Sequence, residues 1–130
     1  MNEYRARVIE LQLQQKLAAK GAVLIEGPKW CGKTTTAEEF AASKVMLART
    51  DVKEHFKSLL EIDTDAALTG DSPMLIDEWQ TVPKLWDAVR YTVDHRRKMG
   101  QFILTGSAVP DQEAEKMREH SGTGRFAWLT

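Results

Sequence analysis

Gly27-Pro28-Lys29-Trp30-Cys31-Gly32-Lys33-Thr34 fits the pattern G-x-x-x-x-G-K-[ST], and its flanks decide the fold. On the N-terminal side, Ala22-Val23-Leu24-Ile25 is a short apolar run that predicts a buried strand. On the C-terminal side, Thr35 to Ser43 predicts a helix with Ala37, Phe40 and Ala41 on one face. Strand, glycine-rich loop and helix in that order are the context in which this pattern cradles phosphate instead of merely turning a corner. Gly27 and Gly32 let backbone N–H groups curl around phosphate oxygens, and the N-terminus of the following helix adds the positive end of its dipole. Lys33 is placed to reach the β- and γ-phosphates, and the Thr34 hydroxyl to coordinate magnesium. Phosphate chemistry asks nothing specific of Trp30 and Cys31. Cys31 is either a small filler or a reactive thiol near a helix N-terminus. The candidate nucleotide-binding segment is therefore Gly27, Pro28, Lys29, Trp30, Cys31, Gly32, Lys33, Thr34 and Thr35.

Working outward, residues 3 to 20 predict a helix with Tyr4, Val8, Leu11 and Gln15 on one stripe and Ile9, Leu13 and Leu17 beside it, ended by Gly21. Lys44 to Ala48 predicts a second strand. Asp51 can cap a helix running to about Leu60, and Asp63 to Gly70 reads as a short helical turn or loop. Met74-Leu75-Ile76 predicts a third strand, closed by Asp77 and Glu78. Leu85, Trp86, Val89 and Val93 recur at helical spacing from Val82 onward, with Pro83 in the first turn and Gly100 as the stop. Gln101 to Thr105 predicts a fourth strand ending at Gly106, and Arg125 to Thr130 a fifth. Between them, residues 110–119 are polar and helix-prone and 120–124 a loop. Apolar strands alternating with helices predict an α/β domain around a mainly parallel sheet.

An apolar strand ending in an acidic pair has the form of a Walker B motif. Taken alone, such a pair also reads as two solvated carboxylates at a strand end. Coupled to the upstream phosphate loop, Asp77 would hold magnesium opposite Thr34, and Glu78 would polarise the attacking water as general base. Thr105 ends the fourth strand, where ligands of open α/β sheets bind. It is either a sensor of the γ-phosphate or attacking water, or a turn threonine before Gly106; Ser107 is a weaker candidate for the same role. Arg125 is either a solvated arginine or one directed at a γ-phosphate, in cis or from a neighbouring subunit. Trp86 falls on the apolar stripe and belongs in the core; packing also outweighs a nucleotide-covering role for Trp79. His55, His95 and His120 have no metal-ligand spacing, and Arg96-Arg97-Lys98 reads as a solvated helix end.

The chain has 130 residues, the size of one domain able to bury a core. Eighteen basic and nineteen acidic residues leave a net charge of −1, so there is no global electrostatic case for nucleic acid or membrane as partner. The first residues lack the apolar core of a signal peptide, and no apolar run approaches the ~18 residues of a membrane span. Cys31 is the only cysteine, which excludes an internal disulfide and fits a reducing, cytoplasmic setting. The sequence stops at the end of a strand with no further element to cover it, as a fragment of a longer protein would.

The segments Gly27 to Ala37, Leu75-Ile76-Asp77-Glu78-Trp79-Gln80, Gln101 to Ala108 and His120 to Arg125 together resemble a group of bacterial and archaeal AAA-type ATP-binding proteins. The resemblance covers nearly the whole chain. It implies a P-loop NTPase three-layer sandwich with a five-stranded sheet in the order 5-1-4-3-2, the Arg125 strand at an edge beside the first. It also implies Walker A residues at Lys33 and Thr34, a Walker B pair at Asp77 and Glu78, a sensor at Thr105 and a finger or sensor arginine at Arg125. Members typically carry an ATPase core followed by a C-terminal domain of unknown function, so residues 1–130 correspond to the core. The function expected is ATP binding with magnesium-dependent hydrolysis that drives or gates that further domain. Self-association, or contact with that domain, is the partnership it suggests. The alternative is a nucleotide-dependent switch with negligible hydrolysis; a small-molecule kinase is weaker, because the acidic pair suits water activation and no acceptor pocket follows.

Overall fold

Along β1 (Ala22–Glu26), β3 (Met74–Asp77) and β4 (Phe102–Gly106), the residues up to Ile25, Ile76 and Leu104 are apolar and buried on both faces, so both faces need cover. The computed structural model describes residues 2–26, 33–106 and 126–129. In it the helices α1 (Asn2–Ala19) and α2 (Lys33–Phe40) lie on one face. Helices α3 (Thr50–Ile62), α4 (Thr64–Ala67) and α5 (Leu85–Arg96) lie on the other, and a 3-10 turn at Trp79–Thr81 leads from β3 to α5. The strand period of two sorts the core. Val23, Ile25, Leu75 and Ile103 pack with Leu13, Leu17 and Ala37, whereas Leu24, Met74, Ile76, Phe102 and Leu104 pack with Phe56, Leu60, Trp86 and Val89.

With β2 (Ser43–Met46) and β5 (Phe126–Leu129), the sheet has five strands in the order β2-β3-β4-β1-β5, every pairing parallel. This is the expected 5-1-4-3-2 order read from the opposite edge. Parallel strands bring all carboxyl ends to one side of the sheet, and α2 packs against β3 and β4 on the way back from β1.

Several boundaries differ from the sequence reading for physical reasons. On α1 the buried stripe is Leu13 and Leu17, while Leu11 is 60% exposed, because the sheet selects the stripe that meets Val23 and Ile25. Helix α5 begins at Leu85, and Pro83 stands in the turn ahead of it, its carbonyl accepting from the Trp86 N–H at 3.3 Å. The same helix ends before Gly100. Arg97 takes the left-handed conformation (φ 54°) and donates its N–H to the Val93 carbonyl. Gly100 serves a different junction: at φ 64° it donates to the Lys20 carbonyl at 2.8 Å, and a Cβ there would lie 3.2 Å from the Leu17 carbonyl oxygen. The N-cap position of α3 is Arg49, with Asp51 in the first turn, and the Asp63 side chain caps α4 through the Ala66 N–H. The expected helix-prone stretch 110–119 and the loop 120–124 lie outside the described residues.

Candidate functional site

The register of β1, β4 and β3 assembles the site. Thr105 lies between Ile25 on one side and Asp77 on the other, and Gly106 is opposite Glu26, the last residue before the glycine-rich loop. Strand alternation puts Asp77 on the face of Leu75 and Thr105 on the face of Ile103, the side covered by α1 and α2. The two side chains meet there: Thr105 Oγ1 donates to Asp77 Oδ1 at 2.6 Å. Thr105 is fully buried and Asp77 is 6% exposed. A buried carboxylate needs donors, and the threonine hydroxyl supplies one in a short, charge-assisted bond. That bond also fixes the polarity of Thr105. A hydroxyl has one hydrogen to give, so while it is given to Asp77 the Thr105 oxygen faces any other group as an acceptor.

Glu78 breaks the strand. Its backbone is left-handed (φ 58°, ψ 45°), a conformation that costs a non-glycine residue about 1–2 kcal/mol and draws attention to the position. The turn that follows holds it: the Glu78 carbonyl accepts from the Thr81 N–H at 3.1 Å and from Thr81 Oγ1 at 2.9 Å. Its half-buried carboxylate accepts from Gln80 Nε2 at 2.6 Å. Between these two residues, Trp79 is buried in the core and lies tilted against Trp86, ring centroids 5.9 Å apart. Both indoles thus take the packing roles their positions suggest.

Gly106 completes the local geometry. A Cβ at that position would fall 2.7 Å from Gln80 Oε1 and 3.1 Å from Trp79 Nε1. Only a residue without a side chain lets the Gln80 amide and the Trp79 ring lie against the end of β4. Trp79 Nε1 and Gln80 Oε1 are both buried and have no hydrogen-bond partner among the described residues.

The structure therefore brings Asp77, Glu78 and Thr105 together at the carboxyl edge. Lys33 and Thr34 open α2, and Thr35 is exposed one residue further on; the side chains of Lys33 and Thr34 lie outside what is described. Gly27, Pro28, Lys29, Trp30, Cys31, Gly32, Ser107 and Arg125 lie outside the described residues. Gln80 is the participant that sequence chemistry alone did not single out. A neutral amide two residues beyond a carboxylate has no motif of its own, and only the 3-10 turn brings it back onto Glu78.

Oxygen donors at Asp77 suit a hard cation such as magnesium, which takes one or two protein ligands and keeps water and phosphate oxygens for the rest. Arg96 resolves into a structural role. Its guanidinium donates to the Leu68 carbonyl at 3.0 Å and lies over the Phe102 ring, 5.9 Å from the centroid. A cleft of about 700 Å³ lies between α3 and the segment 81–84, lined by Lys57, Leu60 and Pro83 among others; none of the candidate site residues lines it. No described helix is long and apolar enough to cross a membrane.

A family model described as an AAA domain matches residues 19–129. Two uncharacterised mycobacterial proteins, one from Mycobacterium bovis and one from Mycobacterium tuberculosis, are each 31% identical over 101 residues. The match covers 77% of this chain and 23% of each relative, so the chain spans about a quarter of the length of the curated relatives it matches. Among solved structures, the Aeropyrum pernix ORC2 protein, in ADPNP–ADP complexes, is similar over 98% of this chain and 46% of that one, at 16% identity and a TM-score of 0.39.

Proposed function

We propose that this chain, which belongs to the AAA domain family of P-loop ATPases, binds ATP with magnesium and hydrolyses it at the carboxyl edge of its sheet. The observation that carries the reading is the buried Thr105–Asp77 bond, in register at the ends of β4 and β3 and one strand away from the loop that follows β1. That arrangement fits a metal-holding carboxylate fixed in place before nucleotide arrives. Lys33 and the backbone of Gly27 to Gly32 take the phosphates. Thr34 and Asp77 are the residues that would hold magnesium, whose charge, when bound, offsets that of the phosphate oxygens. Glu78 stands beyond Asp77 on the same edge and is assigned the general base that takes a proton from the attacking water. Thr105, its hydrogen given to Asp77, suits accepting a hydrogen bond from that water better than donating one to the γ-phosphate. Arg125 is assigned to γ-phosphate charge, in cis or from a second subunit.

Residues 1–130 are read as one AAA-type core in the cytoplasm, whose nucleotide cycle drives or gates a further domain. The length of the mycobacterial relatives leaves room for such a domain. A titration with ATP, ADP and GTP, repeated on Lys33→Ala, tests the nucleotide assignment. Saturable ATP binding that weakens at least about tenfold in Lys33→Ala is the expected result, since a charge-assisted phosphate contact is lost. Failure of the unaltered protein to bind any of the three contradicts it.

A further inference from the structure

The short contact between Gln80 and Glu78 has a use that goes beyond the assignment of Glu78 as base, on which it rests. We propose that Gln80 is the positioning residue of the site: its side-chain amide holds the Glu78 carboxylate in the orientation that takes the proton from water. Gln80 Nε2 donates to Glu78 Oε2 at 2.6 Å, which occupies one carboxylate oxygen and restricts how the group can turn. A base acts only when its free lone pair points at the proton it removes, and an unrestrained glutamate spends its time among several rotamers. The bond from Gln80 narrows that choice. This is the support that a reacting group needs from a neighbour that does not itself touch substrate.

The local backbone decides between an orienting contact and a releasable latch. A latch requires the two partners to sit on elements that can separate. Here Glu78 and Gln80 are two residues apart in one turn, closed by bonds from Thr81 to the Glu78 carbonyl. Trp79 between them is 1% exposed and anchored against Trp86. Glu78 and Gln80 therefore share one closed turn, and their contact is local to it. Gly106 belongs to the same device. The Gln80 amide oxygen lies 2.7 Å from where a Cβ on residue 106 would stand, so the end of β4 leaves the amide the room to face Glu78.

The test is a mutant cycle on ATP turnover in the intact protein, with nucleotide affinity measured alongside. Gln80→Leu removes the donor and is expected to lower kcat about tenfold, with KM for ATP within about twofold, since a hydrogen bond to a charged group is lost without altering phosphate contacts. Gln80→Glu, similar in size, and Gly106→Ala, which pushes the amide aside without altering it, are expected to lower kcat in the same way; they stand in if Gln80→Leu does not fold. In a Glu78→Gln background, each of these changes is expected to alter the residual rate by less than about twofold, because there is no carboxylate left to position. Equal losses in both backgrounds, or a raised KM with kcat unchanged, would overturn the positioning role while leaving Glu78 as base. A Glu78→Gln parent that turns over at the wild-type rate overturns the base assignment, and the positioning role with it.

Discussion

A hydroxyl and a carboxylate, both inside the protein, decide how the end of the sheet is organised. Thr105 and Asp77 face each other across adjacent parallel strands, and their 2.6 Å bond joins two buried side chains. Bonds of this kind, to a charged acceptor, contribute about 1.5–3 kcal/mol. Thr105→Val keeps the shape and withdraws the donor from Asp77, so it should lower the unfolding free energy by about 2 kcal/mol in urea denaturation. Thr105→Ser, which retains the hydroxyl, should lose less than Thr105→Val. Equal losses in the two variants would mean that packing, and not the hydroxyl, is what the site needs from residue 105. The same hydroxyl was an open choice between sensor and turn residue in the sequence, because a threonine before glycine looks alike in both roles. Register across the sheet, which no local pattern encodes, is what brings Asp77 opposite it.

At the level of elements, α1 separates what pattern reading supplies from what packing supplies. Two apolar stripes run along residues 3–20, and periodicity ranks neither above the other. The sheet chooses Leu13, fully buried against the Val23 and Ile25 face, and leaves Leu11 60% exposed. Leu13→Ala should therefore cost about 2–5 kcal/mol, and Leu11→Ala no more than about 0.5 kcal/mol, as read from denaturant midpoints. A reversed ranking would show that α1 docks through its other stripe. On α5 the pattern was decisive on its own. Leu85, Trp86, Val89 and Val93 are all buried, as their spacing predicts, and Trp86→Ala should cost about 3–5 kcal/mol. The ends of that helix were less legible. Its stop is made by a left-handed arginine in place of the nearby glycine, and its start is displaced by the 3-10 turn that carries Trp79 and Gln80. The left-handed backbone of Glu78, which creates that turn, has no signature in the residue type, since glutamate rarely adopts it.

For the molecule as a whole, the strand–loop–helix around Gly27 to Thr34 and the apolar runs that follow made the α/β architecture legible, and the family resemblance supplied the order of the strands. A parallel sheet gathers strand ends that are far apart in sequence: Glu26, Asp77 and Gly106 come to one edge although 80 residues of chain separate the first from the last. In the proposed function this edge hydrolyses ATP, with Glu78 acting on water and the remaining groups acting on phosphate and metal. Binding and chemistry are thereby given to different residues, and one substitution separates them. Steady-state phosphate release and ATP affinity, measured on Glu78→Gln of the intact protein beside the unaltered protein, read both at once. With Glu78 as the base, ATP affinity stays unchanged and turnover falls by about 10²–10⁴-fold, the contribution of a general base. Phosphate release at the unaltered rate would remove Glu78 from the chemistry.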